Sequence, residues 1–280
     1  MCGILGFAGH AKRGQWPIVH HLLTELFVAS ASRGGDAAGF AAIQSGKAGK
    51  RLVTDKRPVP STMFAATSFE WATLRSPSCV VAHCRAATHG SPHAPNNLNN
   101  HPFISDDENL AVIVNGISSN YFDVADEHGL GLRSECDSEV ILRLVEKNEH
   151  PAVGLDLCLR ELTGGMAVAV LDMEREVVWL ARNESRPLWV LRLAGIDGFF
   201  FASTEGIALN ALRRVFGRDA QSVLQVLVPV VTQRVTGLSS GGQWVAPLDV
   251  SAPEPKSAPT LRLVGNDSPA RPKRRGKRCR

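Results

Sequence analysis

Apolar positions fall into two rhythms along this chain, and their alternation sets the expected fold class. Residues 3–9, Gly-Ile-Leu-Gly-Phe-Ala-Gly, are short, apolar and glycine-rich, which predicts a buried strand at the start of the chain. Over residues 16–31, Ile18, Val19, Leu22, Leu23, Leu26 and Phe27 recur at helical spacing and predict an amphipathic helix. Ser32-Arg33-Gly34-Gly35-Asp36 breaks that helix, and residues 39–44 read as the next strand. An apolar run over 79–83 leads into a polar loop over 85–100. Residues 109–114 read as a strand that ends at Asn115-Gly116. Asp137 opens a helix through Val140, Ile141, Leu144 and Val145, with the acid at the positive end of the helix dipole. Two hairpins follow, 166–172 with 177–182 and 188–193 with 198–203, then a helix over 205–214 and a β-branched stretch over 221–235. The pattern is that of a mixed chain of helices and many antiparallel strands, without an internal repeat.

Composition supports a folded body with a different C-terminal end. The chain has 280 residues, 44% hydrophobic and 21% charged, which excludes wholesale disorder and a fibrous class. The net charge of +4 hides an asymmetry: residues 271–280 hold seven Lys or Arg, leaving 24 basic against 27 acidic side chains over 1–270. From about residue 247 the composition turns to Pro, Ser and Ala and then to Lys and Arg, so a folded domain over 1–250 and a disordered basic tail over 251–280 are expected. The tail could contact polyanions weakly by counterion release, but it has no aromatic residue on which bases could stack. No apolar run is long enough to cross a bilayer and no signal peptide is evident, so a cytoplasmic protein without membrane contact is expected. Six cysteines, at 2, 79, 84, 136, 158 and 279, show no metal-ligand spacing, so neither a structural zinc site nor a disulfide framework is expected.

Candidate chemistry begins at Cys2. Methionine ahead of a small residue is normally trimmed, which would leave Cys2 with both a thiol nucleophile and a free α-amine as its base. The alternative is that Cys2 is incidental. An amide-cleaving cysteine needs donors for an oxyanion, and Asn115-Gly116 offers a side-chain amide and an unobstructed backbone N–H, although Asn-Gly is also a common turn. Arg85 can fork onto a substrate carboxylate and Asp137 can accept from an ammonium; taken singly, each is equally a surface charge or a helix cap.

Six ordered blocks carry a resemblance: Met-Cys-Gly-Ile-Leu-Gly-Phe-Ala-Gly at the start, Arg33-Gly-Gly-Asp-Ala-Ala-Gly39, Ala82-His-Cys-Arg-Ala-Ala-Thr-His-Gly90, Asn99-Asn-His-Pro-Phe103, Val114-Asn-Gly-Ile117 and Cys136-Asp-Ser-Glu-Val140. Together they resemble the class II glutamine amidotransferases, which are N-terminal-nucleophile hydrolases, and in particular their glucosamine-6-phosphate synthase glutaminase domains. Echoes continue in Arg182-Asn-Glu-Ser-Arg-Pro-Leu188 and Phe201-Ala-Ser-Thr-Glu205. The resemblance implies an α+β fold, a four-layer αββα sandwich, and cofactor-free hydrolysis of L-glutamine through a thioester. It implies Cys2 as nucleophile, Asn115 and the Gly116 N–H as oxyanion hole, and Arg85 on the substrate carboxylate with Thr88 and His89 assisting. Asp137, with Gly116, would hold the α-ammonium, and Arg33 and Asp36 would support the nucleophile.

Two departures stand out. Synthases of this type usually carry a tryptophan after the matching arginine, where this chain has Ala86, so closure over glutamine is expected to be weaker. The residues after about 250 are too few for a synthase domain, so a glutaminase that delivers ammonia to a separate synthase partner is expected. The competing expectations are an amidohydrolase acting on another amide and an idle scaffold that uses its tail on nucleic acid.

Overall fold

A computed structural model describes residues 1–12, 14–47 and 49–245. The expected boundary at 250, the tail of 251–280 and its polyanion contact lie outside the described residues.

In chain order the strands are β1 (Gly3–His10), β2 (Ala37–Gly46), β3 (Gly49–Arg57), β4 (Cys79–Arg85), β5 (Phe103–Ile104), β6 (Leu110–Ser118), β7 (Gly164–Asp172), β8 (Val177–Arg182), β9 (Trp189–Leu193), β10 (Asp197–Ala202), β11 (Leu224–Pro229), β12 (Arg234–Ser239) and β13 (Trp244–Val245). The helices are α1 (Trp16–Ala29), α2 (Ser61–Thr67), α3 (Phe69–Ala72), α4 (Tyr121–Glu127), α5 (Glu139–Glu146), α6 (Pro151–Glu161), α7 (Glu205–Phe216) and α8 (Ala220–Val223). Two antiparallel sheets result, one ordered β11-β9-β10-β1-β4-β2-β3 and the other β13-β12-β8-β7-β6-β5.

Three apolar clusters define the layering. One packs α1 and α7 on the outer face of the first sheet, through Leu22, Leu26, Phe27, Phe40 and Phe200. A second lies between the two sheets, through Ile4, Val81, Ile113, Leu180 and Phe201. The third packs α5 and α6 on the second sheet, through Val112, Ile141, Leu144, Leu155 and Trp179. The molecule is therefore an α+β, four-layer αββα sandwich. Strand β1 is central and covered on both faces, which is why its sequence is continuously apolar rather than alternating.

Several boundaries differ from the sequence pattern. Helix α1 stops at Ala29, and Ser30–Arg33 tighten into a 3₁₀ turn. The strand expected to end at Asn115-Gly116 continues to Ser118, because Asn115 pairs with Ala167 and Gly116 with Met166 on β7. Sheet pairing overrides the turn preference of Asn-Gly. Gly116 is required there by close approach: a Cβ would lie 2.2 Å from the Gly165 carbonyl. Asp137 precedes α5 and does not cap it; its carboxylate accepts from Ser118 N–H on β6 at 2.7 Å. The stretch 221–235 opens with α8 before β11. Strands β3 and β12 and helices α2, α3, α4 and α6 were not evident from the apolar pattern.

Candidate active site

The site forms where the first turn of chain, the C-terminal end of β4 and the middle of β6 meet. Strand β1 is fixed at its start by Ser203, which follows β10: its buried hydroxyl accepts from Ile4 N–H at 2.8 Å and donates to the Ile4 carbonyl at 3.2 Å. Cys2 emerges just ahead of that clamp. Its thiol lies 3.4 Å from the Ala86 N–H and 3.5 Å from the Ala86 carbonyl. Burial pushes the Cys2 thiol pKa up, while the Ala86 N–H, the terminal positive charge and Arg85 pull it back and Asp137 adds to the rise.

Behind the nucleophile, Arg33 Nε donates to the Cys2 carbonyl at 2.8 Å. The Asn115 amide is buried, and only one orientation satisfies its neighbours: Nδ2 donates to the Cys2 carbonyl at 3.1 Å and Oδ1 accepts from Arg33 Nη2 at 3.2 Å. Cys2, Arg33 and Asn115 thus form one hydrogen-bonded unit across both sheets. Asp36, at the other end of the glycine turn, accepts from Ala87 N–H at 2.7 Å, and its own N–H donates to the Arg85 carbonyl at 3.0 Å. That pair ties the 33–36 turn to the loop after β4.

Arg85 is 2% exposed, and its guanidinium contacts only neutral groups among the described residues. Nη1 donates to Asn100 Oδ1 at 2.8 Å, and Nη2 donates to the carbonyls of His89 at 2.5 Å and Gly90 at 2.8 Å. A buried cation held only by neutral oxygens is costly, so an anionic group placed against Arg85 would be bound favourably. Asp137 is equally buried, with His89 Nδ1 at 3.7 Å from Oδ1. His89 also meets the ring of Tyr121 edge-on, centroids 5.9 Å apart. Thr88 is exposed on the same loop.

The structure therefore brings Cys2, Arg33, Asp36, Arg85, His89, Asn115, Gly116 and Asp137 to one region, with Thr88 at its surface. Sequence reasoning missed the groups that support them. Asn100 and His101 sit in the quoted Asn99–Phe103 block yet received no role. His83 Nε2 donates to the Val114 carbonyl at 2.8 Å, and its ring stacks on His101 with centroids 4.0 Å apart. Burial drops the His83 pKa to about 3 and holds His101 well below the usual histidine range, so both rings stay neutral. Among the described residues, no three His, Cys, Asp or Glu side chains converge as metal ligands would. None of the described helices is long and apolar enough to cross a membrane.

Comparison with known proteins bears on the family and the fold. Residues 89–210 match the glutamine amidotransferase domain family. The glutamine–fructose-6-phosphate aminotransferase (isomerizing) of Bacteroides thetaiotaomicron is 33% identical over 211 residues, covering 72% of this chain and 32% of that protein. Its counterpart from Bacillus licheniformis is 27% identical over 274 residues, covering 94% of this chain and 42% of that protein. The chain thus spans well under half the length of these relatives. The solved glutamine phosphoribosylpyrophosphate amidotransferase of B. subtilis shares the fold, with a TM-score of 0.64 over 88% of this chain and 49% of that one, at 18% identity. With its motif blocks, its four layers and these relatives taken together, the chain carries a glutamine amidotransferase domain of the class II, N-terminal-nucleophile hydrolase type.

Proposed function

We propose that this chain hydrolyses L-glutamine at Cys2 and supplies the ammonia to a synthase partner. The observation that carries the reading is the pairing of a nucleophile cluster with two buried opposite charges beside it. Among the described residues Arg85 is held only by neutral oxygens, one of them the carbonyl of His89, whose ring lies beside Asp137; a buried cation and a buried carboxylate flanking one residue suit the fixed carboxylate and ammonium of a free α-amino acid. That pair also argues against amides without a free amino-acid end.

In this reading, removal of Met1, which is 69% exposed, frees the Cys2 amine. The amine takes the thiol proton as Sγ attacks the γ-carbonyl, and then delivers it to the departing ammonia. Asn115 Nδ2 and the Gly116 N–H stabilise the oxyanion. Asn115 Nδ2 turns to that task from the Cys2 carbonyl, its partner at 3.1 Å. Arg85 holds the α-carboxylate with Thr88 and His89, and Asp137 with Gly116 holds the ammonium. Water then cleaves the thioester to give glutamate. Arg33 and Asp36 hold Cys2 and the 85–87 segment in place. The catalytic domain would extend over 1–250, and the basic tail of 251–280 would add at most a weak, salt-sensitive polyanion contact.

Cys2→Ala tests the core of the proposal. It should abolish glutamate release while leaving the melting temperature within about 2 °C of wild type, since one sulfur is lost at a half-buried position. A glutamine-like affinity label should add one equivalent of label per chain to the wild type and none to the variant. Turnover by Cys2→Ala would sink the assignment.

A further inference from the structure

Lys56 has no role in the chemistry above, yet it is placed to control it. Across the first sheet, Lys56 on β3, Gly39 on β2, His83 on β4 and Ile4 on β1 form one register row. Gly39 leaves the gap in that row: a Cβ there would lie 2.3 Å from the His101 carbonyl and 2.6 Å from Lys56 Cβ. Through this gap the 99–102 segment lies down on the sheet, and the lysine reaches it. Lys56 Nζ donates to the Asn100 carbonyl at 2.8 Å and to the Pro102 carbonyl at 3.1 Å, and it sits 5.6 Å from the Phe103 ring centroid.

Asn100 is where this contact acquires meaning. Its side chain is buried, with Oδ1 accepting from Arg85 Nη1 at 2.8 Å. Its Nδ2 donates to the Pro92 carbonyl at 2.6 Å and to Asn97 Oδ1 at 3.1 Å. One residue thus joins the Arg85 fork to both limbs of the loop over it. Lys56 is the clamp that holds the backbone of that residue to the sheet. The titratable groups around Lys56 are Arg85, Cys136, Glu139 and His101. Among the described residues none of these acids lies within ion-pair distance of Nζ, so its partners are carbonyl oxygens. Burial lowers its pKa to about 8.

We propose that Lys56 is the positioning residue of the carboxylate site: it fixes Asn100, and through Asn100 it aims Arg85 at the substrate. The inference rests on the glutamine-binding reading of Arg85. It predicts a loss in substrate binding rather than in the chemical step, because Lys56 touches neither the nucleophile nor the oxyanion donors.

The experiment compares wild type, Lys56→Met and Lys56→Arg. Steady-state glutamate release should show KM for glutamine raised at least fivefold in Lys56→Met, with kcat changed less than twofold. Lys56→Arg, which keeps a charge and two donors, should restore KM to within twofold. In the absence of glutamine, hydrogen exchange over residues 86–102 should quicken in Lys56→Met and return in Lys56→Arg. A wild-type KM in Lys56→Met would overturn the proposal. So would a fall in kcat with unchanged KM, or a KM defect that arginine fails to restore. If the wild type releases no glutamate, the glutamine reading itself has failed, and the exchange measurement still decides whether Lys56 holds the loop: equal rates in wild type and Lys56→Met would overturn it. Should Lys56→Met not fold, Lys56→Gln, with one shorter uncharged donor, takes its place under the same criteria.

Discussion

Arg85 and Asp137 sit in nearly dry surroundings with unequal company. Asp137 already has the Ser118 N–H and a histidine nearby, while Arg85 is satisfied geometrically by carbonyls but not electrostatically. A substrate carboxylate would complete Arg85, and its ammonium would complete Asp137. Losing one partner of a buried charged contact costs about 2–5 kcal/mol. Arg85→Gln and Asp137→Asn should therefore raise KM for glutamine at least tenfold, tenfold being about 1.4 kcal/mol. Asp137→Asn is the cleaner test, since Arg85 also binds its own loop. A wild-type KM in Asp137→Asn would remove that residue from the binding site. His83 and His101 make a contrasting pair at this scale, because their neutrality is enforced by burial and lets them pack as aromatic filling between charged neighbours.

At the scale of elements, the precision of the nucleophile depends on how β1 begins. Gly3 pairs with Cys84 on β4, and Leu5 is the first residue of β1 to pair with β10, so the Ile4 backbone on the β10 side is left to Ser203. Ser203→Ala would strand a buried N–H, at a cost of about 1–3 kcal/mol. For a domain of this size that lowers the melting temperature by roughly 2–4 °C per kcal/mol. The variant should also lose kcat more than KM, because it loosens Cys2 and leaves Arg85 and Asp137 alone. An unchanged melting temperature would show the clamp to be dispensable. The sequence made β1, α1, the β7–β8 hairpin and the β9–β10 hairpin legible because burial writes itself into long apolar runs. Strand β3 escaped notice because five of its nine residues are charged, as suits the sheet edge it occupies. Cys2, Arg85, Asn115 and Asp137 were legible only as parts of ordered motif blocks. Lys56 was not, since its contacts are backbone carbonyls 44 and 46 residues away.

Taken as a whole molecule, the sandwich separates a rigid floor from a polar roof. The floor is the two sheets and the apolar layer between them. The roof is the segment 86–100, held by hydrogen bonds donated by Arg85 and Lys56, by one accepted at Asp36 and by the internal bonds of Asn100, rather than by an apolar cover. Ala86 stands at the start of that roof, its N–H 3.4 Å from the Cys2 thiol, where the family resemblance leads one to expect a tryptophan. In the proposed reaction the roof has to order over glutamine to align the oxyanion donors and shut out bulk water beyond the one that cleaves the thioester, and ordering costs about 1–2 kcal/mol per residue in backbone entropy. With a methyl group in place of an indole, this chain supplies less buried apolar area to offset that cost. Under the proposed function, a docked synthase would supply it, and the same contact would give ammonia a sheltered route. The isolated chain should accordingly hydrolyse glutamine slowly, and its cognate synthase should raise kcat at least tenfold, more so with the acceptor bound. Ala86→Trp should recover part of that gain without any partner. The measurement is steady-state glutamate release from wild type and Ala86→Trp, each with and without the co-purifying synthase. Fast turnover by the isolated wild type, unchanged by the synthase and by Ala86→Trp alike, would show that the roof closes unaided.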